Sequence, residues 1–272
     1  MGRNKSTGHK GVTISALSTI DTACWDLIGK AAEKPLHHIF GACRETIPTY
    51  ASSGLWLSYS LDELQAEAKS FLGQGFTAMK IRLGSKEPSD DIVRVQAVRD
   101  VVGPETGLLV DINQGLKPKE AIRIGRELEP FNLIWIEEPV AAYDLAGHAR
   151  VTAALDTPIA SGETEYTLFG MQAMIEKKAC DILMPDLQRI GGLTEMRRVA
   201  ALAHAHNLPI STHFFTHESL SIAGSAANCM SVEHIDWFAP LFNEPLEISK
   251  GEIMIPQRPG TGFSFRADLA KF

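Results

Sequence analysis

Cysteine is scarce in this chain. Its four thiols, Cys24, Cys43, Cys180 and Cys229, form no C-x-x-C pair and no metal-ligand spacing. That speaks against a disulfide-stapled or zinc-bound scaffold and for reduced thiols in a cytoplasmic protein. Basic charge is not in excess either. Lys and Arg number 26 against 33 Asp and Glu, a formal net charge of -7, and the basic residues are scattered. Nucleic acid is therefore not an expected partner. No apolar run approaches the ~20 residues of a membrane span. The opening MGRNKSTGHK has no apolar stretch behind its charges, so it does not read as a signal peptide. No GxGxxG follows the first predicted strand, which weakens a dinucleotide-binding reading. What remains is ordinary globular composition, 44% hydrophobic and 22% charged, in 272 residues. That length suits one (β/α)8 barrel, typically ~250 residues.

After residue 47 the chain alternates between two periodicities. Strand-like runs fall at 48–53, 77–83, 108–114, 133–139, 158–163, 181–187, 209–215 and 231–237. Helix-like runs lie between them, at 61–75, 89–103, 117–129, near 144–155, 167–178, 193–207 and near 218–229. Ser89 is the expected N-cap of the second of these, and a proline sits in the first turn of the third. Strands alternating with helices of this length form βαβ units and a parallel sheet. Eight such strands favour a closed TIM-type barrel, (β/α)7β-like, over an open sheet. Two segments stand outside it. One is the apolar helical stretch within 12–40; the other is the Pro- and Gly-rich 240–272, read as loops and short strands.

Barrel enzymes place their chemistry at the C-terminal ends of several strands. The fourth strand, LIWIEEP, ends in two acids, Glu137 and Glu138, before Pro139. The strand before it carries Asp111 and Asn113, and the strand after it carries Glu163. Asp111, Glu137 and Glu163 recur at intervals of 26 residues, one βα unit apart, so neighbouring strands bring three carboxylates to one rim. Such a trio repels itself unless a cation sits among it. Oxygen donors without sulfur or several histidines select a hard divalent ion, Mg2+ first. Glu138 and Asn113 are read as partners beside the three ligands.

Lys80 and Arg82 alternate along the second strand and so share a face. With a metal they form a cationic cradle for a carboxylate substrate. Lys80 is a candidate base. Arg82 stays protonated in nearly any protein and suits an anion clamp. Asp186 and His213 lie at the ends of adjacent strands, where a carboxylate fixes the imidazole tautomer and makes a general base. Glu233, on the last strand, is placed to give a proton or hydrogen bond to an oxyanion.

These residues resemble the enolase superfamily in its mandelate racemase-like branch. The resemblance rests on KIR (80–82), DINQG (111–115), WIEEP (135–139), SGE (161–163), PDLQRIGG (185–192), STHFF (211–215), SVEHIDW (231–237), PQRPGTGF (256–263) and the helix IDTACWDLIGKA (20–31). It covers nearly the whole chain. The region from His204 through LFNEPLEI (241–248) looks most like acid-sugar dehydratases acting on galactarate or talarate. The resemblance implies that Asp111, Glu137 and Glu163 bind Mg2+, and that Asp186 and His213 form the base dyad. It places Lys80 and Arg82 on the opposite substrate face and has Glu233 stabilise the enolate. The shared step it implies is removal of the proton α to a carboxylate, giving an enediolate. It implies a small sugar-acid substrate and a homo-oligomer.

Two departures shape the reading. Where the family usually has a second lysine on this strand, the chain has Arg82, which tilts it from two-base racemisation towards one-base dehydration by His213. Members also carry an N-terminal α+β capping domain, of which this chain holds only the late helices. The expected division is thus 1–46 as remnants of that cap, 47–239 as the barrel, and 240–272 as a segment packing back on the cap region. The alternatives are a racemase, epimerase or cycloisomerase of the same superfamily, or a barrel that catalyses nothing.

Overall fold

The computed structural model describes residues 8–85 and 87–268. The outermost residues of the expected first and last segments, and Lys86, lie outside them. Eight parallel strands form the barrel: β1 (Thr46–Ala51), β2 (Ala78–Arg82), β3 (Gly107–Asp111), β4 (Ile136–Glu137), β5 (Ile159–Ser161), β6 (Ile182–Leu183), β7 (Ile210–Thr212) and β8 (Cys229–His234). Each pairs with the next, β8 pairs with β1, and the β1–β2 pairing closes the ring.

The regular ladders are shorter than the apolar runs suggest. In the run 133–139 only Ile136–Glu137 is ladder. Single bonds carry the pairing outward, from Ile134 N–H to Leu108 O (2.8 Å) and from Glu138 N–H to Ala160 O (3.0 Å). Seven crossovers carry α3 (Leu61–Gly73), α4 (Pro88–Val102), α5 (Pro118–Leu128), α6 (Leu145–Thr152), α7 (Thr167–Lys177), the short α8 (Leu187–Ile190) with α9 (Leu193–Ala205), and α10 (Thr216–Ala223). The chemistry at the helix starts explains their phase. Ser60 and Glu63 make a capping box at α3. Ser89 does not cap α4: Pro88, with its fixed φ, starts that helix one residue earlier, so Ser89 lies in the first turn and Glu87 is the N-cap.

The core has two parts. The larger fills the space between strands and helices, with Met79, Ile81, Leu108, Val110 and Ile136 facing Leu64, Val95, Ile124 and Val199. The smaller lies inside the barrel, where Tyr50, Leu109, Trp135, Ala160, Ile182 and Met184 pack on one another. This interior cluster is the floor beneath the strand ends.

Ahead of the barrel, α1 (Val12–Ala31) and α2 (Leu36–Phe40) pack against α8–α9 and α10. After it, β9 (Ile248–Ser249) and β10 (Glu252–Met254) form a hairpin whose second strand pairs antiparallel with β1. The chain then returns to α1. Leu36 N–H donates to Gly260 O (2.9 Å) and Thr261 N–H to Asp26 Oδ1 (2.9 Å). Among the described residues, no helix is long and apolar enough to cross a membrane.

Candidate active site

At the C-terminal ends of the strands lies a cavity of about 540 Å³. Arg82, Asn113, Glu163, Asp186 and His213 line it, with Trp56, Leu57, Phe214 and Trp237 at its apolar side. Lys80, Asp111, Glu137, Glu138 and Glu233 lie beneath that wall, each at most 1% exposed. Lys80 is fully buried, with Nζ 2.8 Å from Glu137 Oε1, 2.7 Å from Glu233 Oε1 and 3.6 Å from Asp111 Oδ2, so three carboxylates surround its ammonium.

The three spaced acids stand on consecutive strands as their interval requires. Asp111 and Glu137 are register partners of β3 and β4, and Glu163 lies two residues past β5. They do not close on one point. Among the described residues, no three His, Cys, Asp or Glu side chains form a metal cage. Cations interpose instead: Arg82 holds Asp111, Lys80 holds Glu137, and His213 Nε2 lies 3.0 Å from Glu163 Oε2. The balance is nonetheless unequal. Six carboxylates, Asp111, Glu137, Glu138, Glu163, Asp186 and Glu233, face four cationic groups, Lys80, Arg82, Arg189 and a protonated His213. Negative charge is in excess by two even then. Glu138 is raised to about 7, first by burial and then by the charge of Glu163. An all-oxygen donor set with uncompensated negative charge fits a hard divalent cation.

Asp186 caps α8, accepting from Arg189 N–H (2.8 Å) through Oδ1. That leaves Oδ2 aimed at His213 Nδ1, 2.8 Å away. A single parallel bridge joins the two residues beyond the regular ends of β6 and β7. Burial alone would lower the His213 pKa. The charge of Glu233 and the hydrogen bonds to Asp186 and Glu163 more than offset it, and the imidazole is held well above its ordinary range. Glu163 moves the opposite way: burial raises it, but the hydrogen bond and charge of His213, with Lys80 and Arg189, leave it below the usual carboxylate range.

Further residues contribute: Gln114, Phe214 and Trp237 lie within motifs that carry the family resemblance, whereas Ser52, Trp56 and Thr164 have no such signal. Ser52, at the end of β1, donates to Glu233 Oε1 (2.6 Å) and accepts from Arg82 Nη2 (3.1 Å). Gln114 donates to Glu138 Oε2 (2.7 Å) and accepts from Ala142 N–H (2.9 Å). Thr164 donates to Glu138 Oε1 (3.0 Å). Phe214, at a φ of 66°, aims its backbone N–H at Glu233 Oε2 (2.8 Å). Trp56 lies over the Arg82 guanidinium (5.4 Å) and stacks on Trp237. Left-handed backbone at Asn113, Gln114, Glu138 and Phe214 clusters here, as strained backbone does at working sites.

Comparison with known proteins gives the family. Residues 63–269 match the enolase C-terminal domain-like family. The chain is 39% identical over 259 residues to the L-talarate/galactarate dehydratase of Salmonella typhimurium, covering 95% of this chain and 65% of that protein. It is 35% identical to the 3,6-anhydro-alpha-L-galactonate cycloisomerase of Streptomyces coelicolor, over 94% of this chain and 71% of that one. The crystal structure of an L-talarate dehydratase from Polaromonas sp. JS666, complexed with Mg and L-glucarate, superposes with a TM-score of 0.95 at 36% identity. That match covers 98% of this chain and 75% of the other. This chain thus spans about two thirds to three quarters of these relatives' length. With the barrel, the strand-end acids and these matches together, the chain belongs to the enolase superfamily.

Proposed function

We propose that this chain is the catalytic barrel of an Mg2+-dependent acid-sugar dehydratase. The observation that carries the reading is the Asp186–His213 dyad opening into the cavity beside Glu163. Asp111, Glu137 and Glu163 are the residues that would hold the metal. When bound, Mg2+ supplies positive charge at the substrate carboxylate, whose neighbouring C–H is otherwise very weakly acidic. The chain's own groups do the rest. Asp186 keeps the Nδ1 proton on His213, so Nε2 is the atom that takes the α-proton. In this structure Nε2 is tied to Glu163. There Nε2 carries a proton that Glu163 accepts; whatever draws Glu163 away lowers the hold on that proton, and its loss exposes the Nε2 lone pair that takes the α-proton. The resulting imidazolium stands ready to return its proton to the departing β-hydroxyl. Arg82, locked between Asp111, Ser52 and Trp56, is a fixed cation facing the substrate and makes no second base. This favours loss of water over epimerisation.

The test is incubation of the purified chain with Mg2+ and a panel of sugar mono- and diacids in D2O. A 2-keto-3-deoxy product from a diacid such as galactarate is the expected result. α-Deuterium exchange without that product would replace dehydration with epimerisation. Neither signal from a folded, Mg2+-binding chain would overturn the assignment of activity to this length of protein.

A further inference from the structure

We propose that Trp135 is a positioning residue for Glu137, through its indole N–H. The inference rests on the reading of Glu137 as a metal-holding carboxylate. Trp135 immediately precedes β4 and Glu137 ends it, two residues apart, and both side chains point into the barrel. Trp135 is 1% exposed and belongs to the interior floor, with its ring edge-on to Tyr50 at 5.2 Å. Its Nε1–H donates to Glu137 Oε2 at 3.2 Å. An indole has one donor and no acceptor. Here that donor is used on the carboxylate rather than on a backbone carbonyl.

The arrangement fixes one oxygen of Glu137 from below. Lys80 approaches both oxygens, at 2.8 and 2.9 Å, but its ammonium ends a flexible stem and is shared with Glu233 and Asp111. The indole is rigid, wedged among Tyr50, Leu109, Ala160, Ile182 and Met184. It therefore sets the carboxylate's rotation, whereas Lys80 sets its charge balance. Groups that orient a ligating carboxylate in this way typically govern metal affinity by about 10–100-fold.

The test is Mg2+ binding measured by titration calorimetry, with thermal unfolding of the same samples in EDTA. Trp135→Phe keeps an aromatic ring and removes the N–H; the expected result is Mg2+ affinity weakened about tenfold. Leu109→Ala, a floor change with no hydrogen bond to Glu137, should lower the melting temperature and leave Mg2+ affinity within about twofold. If Trp135→Phe fails to fold, benzothienylalanine at position 135 keeps the bicyclic shape with sulfur in place of N–H, and the same loss of affinity is expected. Unchanged affinity in a folded variant lacking the N–H overturns the positioning role alone. Absence of Mg2+ binding by the unaltered chain overturns both this role and the metal-site reading beneath it.

Discussion

His213 Nδ1 lies 2.8 Å from Asp186 Oδ2, across the gap between two neighbouring strand ends. The contact fixes which imidazole nitrogen faces the cavity. His213→Asn removes the proton acceptor while keeping a polar side chain of similar reach, and turnover should fall about 10²–10⁴-fold. Asp186→Asn leaves the imidazole in place without its orienting charge and should give a smaller loss, mainly in kcat. Solvent deuterium exchange at the α-carbon, followed by NMR, separates the two: His213→Asn should abolish it, Asp186→Asn should slow it. Undiminished exchange in His213→Asn would move the base elsewhere.

Metal removal should cost stability through linkage. The site carries six carboxylates against four cationic groups at most, and the charge of Glu163 reaches Glu138. A cation that binds only the folded chain at a hundredfold over its Kd contributes about 2.7 kcal/mol, a rise in Tm of roughly 5–10 °C for a domain of this size. EDTA should reverse it. Glu163→Gln removes one donor and also the charge that His213 and Arg189 pair with, so its Tm in EDTA should fall below that of the parent and the Mg2+-dependent rise should be lost. Differential scanning fluorimetry with and without Mg2+ reads both effects.

The parts of this site legible in the sequence share one property, which is a repeat. Asp111, Glu137 and Glu163 announce themselves because one βα unit separates each from the next. Asp186 and His213 do so because each ends its own strand. Ser52 and Thr164 have no such marker: a lone polar residue at a strand end looks like any loop residue until the side chain it meets is known. The burial of Lys80 was equally hidden. Its two-residue spacing from Arg82 places both side chains on the same face, but not at the same depth: Arg82 lines the cavity and Lys80 lies beneath it. Strand limits were overread for a related reason. Apolar residues extend beyond the regular pairing, as Leu133, Ile134 and Trp135 do before the two-residue ladder of β4.

The approach of the C-terminal segment to α1 depends on two glycines. A Cβ on Gly29 would lie 2.7 Å from Gly260 Cα, and backbone on that side cannot yield as a side chain would. Gly29→Ala should destabilise the chain by about 1–3 kcal/mol, despite the better helix propensity of alanine. The loss should appear in urea unfolding, accompanied by faster amide exchange at Thr261 and Leu36, whose N–H groups close this contact. A stabilised Gly29→Ala variant would show that the segment docks on α1 more loosely than this.

Acid should weaken the fold through a histidine outside the Asp186–His213 pair. His217 is 2% exposed and stacks on Phe242 at 4.3 Å, with Phe263 edge-on at 4.8 Å. Its Nε2 has no hydrogen-bond partner among the described residues. Burial, with the charge of His234 adding to it, lowers the imidazole to about 4. The folded chain thus keeps this ring neutral where the unfolded chain, titrating near 6.5, takes up a proton. Stability is full above about pH 6.5 and falls as the pH drops towards 4, by on the order of 3 kcal/mol if this group acts alone. Burial lowers His37, His148 and His234 as well, with the same sign. Glu218 opposes them. Burial raises it to about 7, so its contribution is complete below the ordinary carboxylate range and is lost as the pH rises through 7. The bare pH profile therefore mixes both signs. The difference between the parent and His217→Phe isolates one of them, because phenylalanine keeps the stack and cannot be protonated. Urea unfolding at pH 7 and at pH 4.5 should show the variant gaining on the parent as the pH falls; an equal loss in both would place the acid sensitivity elsewhere.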